Sequence, residues 1–133
     1  MKLFQKGKDG GPDSPVDGLY LIEIKPLFSI VLLKFNKGRR ENFHTHAFNA
    51  LTWFIGGSLE EEKINGEKYE YKRSFLPKIT TRENNHRVKA NKDSYCLTFR
   101  GPWVDFWTED NKEENEKIFF TNGRKILKTE STI

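Results

Sequence analysis

A single cysteine, Cys96, stands among 133 residues, so no disulfide can close within the chain and a reducing compartment fits best. Long apolar runs are missing too. The longest aliphatic run is Ile30–Leu33, against the roughly 20 residues a membrane-spanning helix needs. The first twenty residues are broken by Gly10, Gly11, Pro12 and Pro15 and carry charge throughout, which leaves no apolar core for a signal peptide. These absences read as a cytoplasmic protein with no membrane partner. Charge of one sign is also scarce: 23 basic and 19 acidic side chains leave +4. So mild an excess suits a mixed, solvated surface and gives no case for a nucleic-acid partner. Helical periodicity is lacking in any stretch longer than ten residues. The one rival is a helix starting near Asp110, because DNKEENEKIFF carries capping and charge features of a helix start.

Aromatic residues are plentiful. Eleven Phe, four Tyr and three Trp supply much of the apolar area that a small core needs. The length suits one domain with one core. Met1–Asp17 is dense in turn formers and reads as an irregular N-terminal arm, residues 1–17, ahead of a β domain over 18–133. Short apolar runs follow at Leu19–Ile24 and Leu27–Phe35, split by Pro26. Arg39–Ala47, Leu51–Ile55, Ser58–Ile64, Glu67–Tyr71, Phe75–Ile79, His86–Ala90 and Tyr95–Phe99 continue the series, with Thr81–Asn85 as a loop. Val104–Thr108, Lys117–Thr121 and Arg124–Lys128 complete it. Asn65-Gly66 and Asn122-Gly123 each mark a hairpin in which both turn residues take positive φ. The charged run Glu60–Lys63 reads as a solvated hairpin arm. Eight to ten short strands with regular turns predict an all-β sandwich or barrel.

The stretch Gly38–Gly57 holds two of the three histidines, His44 and His46. At i and i+2 on a strand their side chains share a face. The third, His86, lies forty residues on. Two imidazoles from one strand and one from another make a metal site inside a β-barrel.

The spacing G-x5-H-x-H-x3-A-x6-G, through Gly38, His44, His46, Ala50 and Gly57, resembles the first motif of the cupin superfamily. Ala50 stands where that motif has glutamate. Of the second cupin motif only the histidine, His86, is matched. The resemblance runs over roughly Leu27 to Gly101. The chain is also similar to small single-cupin proteins of tailed-phage and bacterial genomes, through His44–Ala50 and Thr98–Trp103. The resemblance implies a single small jelly-roll β-barrel of cupin type. It implies His44, His46 and His86 as ligands of one divalent metal, and a homodimer by fold analogy.

With Ala50 in place of the glutamate, three neutral ligands would leave several coordination positions open. That suits Fe(II) best, as in mononuclear non-haem dioxygenases with three histidines, and is compatible with Zn, Ni or Mn. Candidate substrate-binding residues are Arg100, which can grip a carboxylate or phosphate with two parallel bonds, and Trp103, as a pocket wall beside Trp107. Asn49 is a candidate as an oxygen donor, with a turn residue as the alternative. Tyr95 is a candidate acid for a metal-free nucleotide-sugar epimerase. Glu41 and Glu83 lie near the histidines as further carboxylates. Tyr95 and Cys96, being adjacent, face opposite sides of a strand, which argues against a cysteine–tyrosine crosslink. Three functions stay open at this point: a dioxygenase acting on a small molecule, a non-catalytic small-ligand module, and the epimerase.

Overall fold

The computed structural model describes residues 1–10, 14–39, 43–104, 106–111, 114–121 and 125–131. Among them there is no helix, and twelve strands form one antiparallel sheet. In chain order they are β1 (Lys2–Lys8), β2 (Val16–Ile24), β3 (Phe28–Phe35), β4 (Gly38–Arg39), β5 (Phe43–His44) and β6 (Ala50–Lys63). Then come β7 (Lys68–Tyr71), β8 (Lys78–Thr80), β9 (His86–Arg100), β10 (Phe106–Asn111), β11 (Glu116–Thr121) and β12 (Lys125–Ser131). The architecture is an all-β jelly roll whose hydrogen bonding leaves an open edge.

Strand β9 is the hub. One side of it pairs with β6 from end to end, Ala50 opposite Arg100 and Lys63 opposite His86. Its other side pairs with β3 over Ser94–Arg100, then with β4, then with β5 through His44 and His86. The sheet continues outward through β3, β2 and β1 in one direction and through β5, β10, β11 and β12 in the other. The apolar alternation of β2 and β3 explains their place: Val16, Tyr20, Val31 and Leu33 point to the same interior.

Two predicted pairs of strands are each one long strand. Leu51–Ile55 and Ser58–Ile64 fuse into β6, and His86–Ala90 and Tyr95–Phe99 fuse into β9. The ladder between them bends instead of stopping, with register shifts from Phe54 to Leu59. Gly57 makes the bend possible. Its φ is +101°, and a Cβ there would collide with Ser94 Oγ and lie 2.5 Å from Ser94 Cα. Ser94 Oγ in turn accepts from the Ser58 amide at 2.9 Å.

Other expectations are corrected. Lys2–Lys8 within the arm is a strand, paired with β2 from Lys2–Glu23 to Lys8–Asp17. It sits on the sheet edge with mostly exposed side chains, and only long-range pairing reveals it. Phe4 in this strand has φ +48°, a left-handed conformation costly for an aromatic residue, and the ladder skips it. The Asn65-Gly66 hairpin exists, but only Gly66 has positive φ. The Gly66 amide donates to Lys63 O and the Lys63 amide to Glu67 O, which makes a three-residue loop with a glycine bulge. Among the described residues no helix begins near Asp110, which lies within β10. The Asn122-Gly123 turn lies outside the described residues. The expected strand around Phe75–Ile79 starts only at Lys78.

Two clusters make up the core. The larger joins Val16, Tyr20, Val31, Leu33, Leu59, Ala90 and Cys96. The smaller joins Ala47, Trp107 and Phe120, with Phe48 and Trp103 packed on it. Between them the curled sheet encloses a cavity of about 460 Å³.

Candidate metal centre

The three histidines meet at this cavity. His44 and His86 are direct cross-strand partners, so their rings share the inner face, with centroids 4.9 Å apart. His46 reaches the same point from beyond the end of β5, not from within the predicted strand. Its amide donates to Arg82 O at 3.1 Å, and the preceding Thr45 amide donates to Thr108 O at 2.9 Å. The centroid of His46 lies 4.9 Å from that of His44 and 4.8 Å from that of His86. One ligand atom from each ring falls within 4.8 Å of the others. His46 Nε2 and His86 Nε2 are 3.1 Å apart. Two nitrogens bound to one ion at about 2.05 Å stand roughly 2.9 Å apart at a right angle and about 3.3 Å apart at a tetrahedral angle. That pair is therefore already at metal-bound spacing, and three neutral nitrogen donors suit a borderline divalent ion.

What fixes His86 is a residue the sequence reading missed. Glu61 is 3% exposed, not on a solvated hairpin arm. Its carboxylate accepts from His86 Nδ1, from Lys78 Nζ at 2.6 Å, from Tyr71 Oη at 2.9 Å and from Asn84 Nδ2 at 3.1 Å. Burial alone would raise its pKa, but the bonds from His86 and Lys78 outweigh burial and hold the carboxyl well below its usual range. An ionised Glu61 accepts a hydrogen bond from His86 Nδ1–H, which keeps the proton on Nδ1 and leaves the Nε2 lone pair facing the other two rings. Burial lowers the Lys78 pKa, with Glu61 opposing. Burial, then the Glu61 charge, push the Tyr71 phenol above its ordinary value. The Lys78 ammonium also contacts Tyr71 Oη, closing the group.

The remaining candidates divide. Arg100 and Trp103 line the cavity together with Trp107. Trp107 is both wall and core, its ring 5.7 Å from that of Trp103. Asn49 is exposed and braces a loop: its Oδ1 accepts from the Arg82 amide at 2.8 Å, on the residue whose carbonyl holds His46. It does not line the cavity. Tyr95 is 46% exposed on the outer face of β9 and is not part of the cavity wall, which takes the epimerase acid away from that residue. Cys96, its neighbour, is buried, and burial pushes its thiol up to about 12. Glu83 is exposed, and Glu41 lies outside the described residues.

No family model and no curated protein matches the sequence. Solved structures do match in shape. A sugar phosphate isomerase from a cupin superfamily, from Silicibacter pomeroyi, superposes with a TM-score of 0.63 at 10% identity, covering 98% of this chain and 92% of its own. KdgF from Halomonas sp. gives 0.57 at 18% identity, over 79% and 96%. Ectoine synthase from P. lautus gives 0.57 at 16% identity, over 68% and 67%. The chain has the cupin fold. Within this fold the three histidines cluster on the inner face of the jelly roll. Among the described residues no helix is long and apolar enough to cross a membrane.

Proposed function

We propose that this cupin is a mononuclear divalent-metal protein acting on a small molecule, with His44, His46 and His86 as the ligands. The observation that carries the reading is the Glu61–His86 bond. A buried carboxylate that orients one imidazole of a converging trio is the usual support of a metal-bound histidine. A bound ion would supply a Lewis-acid centre with open positions for substrate and for water or O2. Fe(II) and a dioxygenase reaction are the finer version, favoured because all three ligands are neutral. The chain's own part is to hold the imidazoles, to keep a proton on His86 Nδ1, and to exclude water with the Phe48, Trp103 and Trp107 wall. The reading includes a homodimer, on the analogy of other lone cupin domains; sedimentation velocity tests it.

A second reading draws on the likeness to a sugar phosphate isomerase. Tyr71 lines the cavity and stays protonated, and so replaces Tyr95 as the candidate acid of a metal-free isomerase. A non-catalytic ligand module would use the same cavity without turnover.

Metal content by mass spectrometry, on protein purified without a histidine tag, separates these. The metal reading expects close to one ion per chain, lost in the His44/His46/His86→Ala protein. Iron then leads to O2-uptake assays on small organic substrates. No ion after anaerobic reconstitution with Fe(II), Zn(II) and Ni(II) overturns the reading and leaves the isomerase and the binding module, which turnover of sugar phosphates separates.

A further inference from the structure

The cavity has a second polar wall, away from the imidazoles. Arg100 is 3% exposed at the end of β9, with its guanidinium 4.5 Å from the centre of the Phe48 ring. Phe48 packs on Trp103 at 5.1 Å, and Lys25 Nζ lies 4.7 Å from the centre of the Trp103 ring. All four residues line the cavity. The anion that neutralises Arg100 is Asp9, just past the end of β1. Arg100 Nη1 and Nη2 donate to Asp9 Oδ1 and Oδ2, each at 2.9 Å, a two-pronged carboxylate grip. Tyr20 Oη adds a third donor to Asp9 Oδ1 at 2.9 Å.

Donors on this wall exceed acceptors. Arg100 Nε and Trp103 Nε1 are buried with no hydrogen-bond partner, a costly state that an arriving acceptor would relieve. Lys25 has no carboxylate within ion-pair distance among the described residues. The cavity wall as a whole carries Lys2, Lys8, Lys25, Lys78 and Arg100 against Asp9, Glu23 and Glu61. Asp9 directly follows an edge strand of the sheet, its amide held by Val16 O at 2.9 Å. Strand β1 pairs only with β2, exposes most of its side chains, and contains Phe4 at φ +48°.

We propose that this wall is a subsite for the carboxylate of a small organic acid, and that Asp9 occupies it in the resting protein and is displaced when the acid binds. The group already seated there guides the choice of ligand class. Asp9 shows that a carboxylate fits Nη1 and Nη2 with both oxygens, and Phe48 and Trp103 favour an apolar or planar body behind it. Strand β1 then serves as a strap: its end holds a surrogate ligand, and release of Asp9 loosens it. The inference takes the cavity of the metal reading as its site but does not require the metal.

The test uses benzoate on the full chain, after EDTA treatment and again after metal loading, so that loss of the metal site leaves the carboxylate measurement standing. Calorimetry should show saturable benzoate binding in both states, with benzamide and phenyl phosphate binding at least about tenfold more weakly. Asp9→Asn should tighten benzoate by about tenfold or more, and Arg100→Gln should abolish binding. In the wild-type chain, benzoate should speed amide hydrogen exchange across Lys2–Lys8 while benzamide leaves it unchanged. A structural ion pair alone would not give that response, and it needs no variant to fold. Absence of benzoate binding, or binding with unchanged exchange in β1, overturns the proposal. Phenyl phosphate binding as well as benzoate overturns the carboxylate assignment.

Discussion

Glu61 and Asp9 are both carboxylates on the wall of one cavity, and both are neutralised by a buried or half-buried cation. They are held in opposite ways. Glu61 sits in β6, a strand paired along its length with the hub strand, and accepts four hydrogen bonds from four different residues. Asp9 follows the outermost strand on its side of the sheet, and its side chain is still 25% exposed. The same functional group is a fixed part of the scaffold in one place and an exchangeable plug in the other. What differs is the number of strands that must move before it can leave.

The largest effect should come from the fixed member. Glu61→Ala leaves the Lys78 ammonium half-buried and unpaired and frees the His86 ring. We expect a loss of about 3–5 kcal/mol in urea unfolding and a fall in metal affinity of roughly 10- to 100-fold. Gly57→Ala attacks the bend that carries β6 across β9 just before Glu61. The clash with Ser94, added to the positive φ, should cost about 2–3 kcal/mol, and histidine nitrogen chemical shifts should report a displaced Glu61–His86 bond. Asp9→Asn should cost less, about 1–2 kcal/mol, because the amide still offers Arg100 one oxygen acceptor and solvent reaches the Asp9 side of the pair. It should leave metal affinity unchanged, which a competition titration against a chelating dye would check. Equal losses for Glu61→Ala and Asp9→Asn would end the distinction between scaffold and plug. The smallest effect belongs to Phe4→Gly. Relief of the left-handed φ should stabilise β1 by about 0.5–1 kcal/mol, seen as slower amide exchange confined to Lys2–Lys8.

Legibility in the sequence followed the range of the interactions. His44 and His46 were readable because their spacing is local, and His86 because it is the one other histidine in the chain. Pairing of β5 with β9 brings His44 to His86, while His46 joins them from beyond β5 through the Arg82 and Thr108 carbonyls. The outward placement of Tyr95 was also local: alternation sets it between buried Ser94 and Cys96. Glu61 was hidden by its neighbours. Three glutamates in a row look alike, and burial separates them only through alternation from buried Leu59, which sets Glu61 inward and Glu60 outward. The Arg100–Asp9 pair spans 91 residues, and nothing near either residue announces the other. The same distance effect concealed β1. Its sequence KLFQKGK has little apolar alternation, and it is a strand because β2 offers it an edge. The long strands β6 and β9 were cut in two for a related reason, since Gly56-Gly57 reads as a stop when only its own neighbours are considered.

The position of β9 as hub bears on how the chain acquires its shape as it is made. The hairpins β2–β3 and β6–β7 close over short loops and can form as soon as their own residues leave the ribosome. None of β3, β4, β5 and β6 has its central partner until His86–Arg100 has been synthesised. For most of its synthesis the nascent chain is therefore a set of unjoined hairpins with open edges, the state in which β proteins most readily associate with the wrong partner. Closure comes late and nearly at once, when a single fifteen-residue segment joins strands on both of its sides.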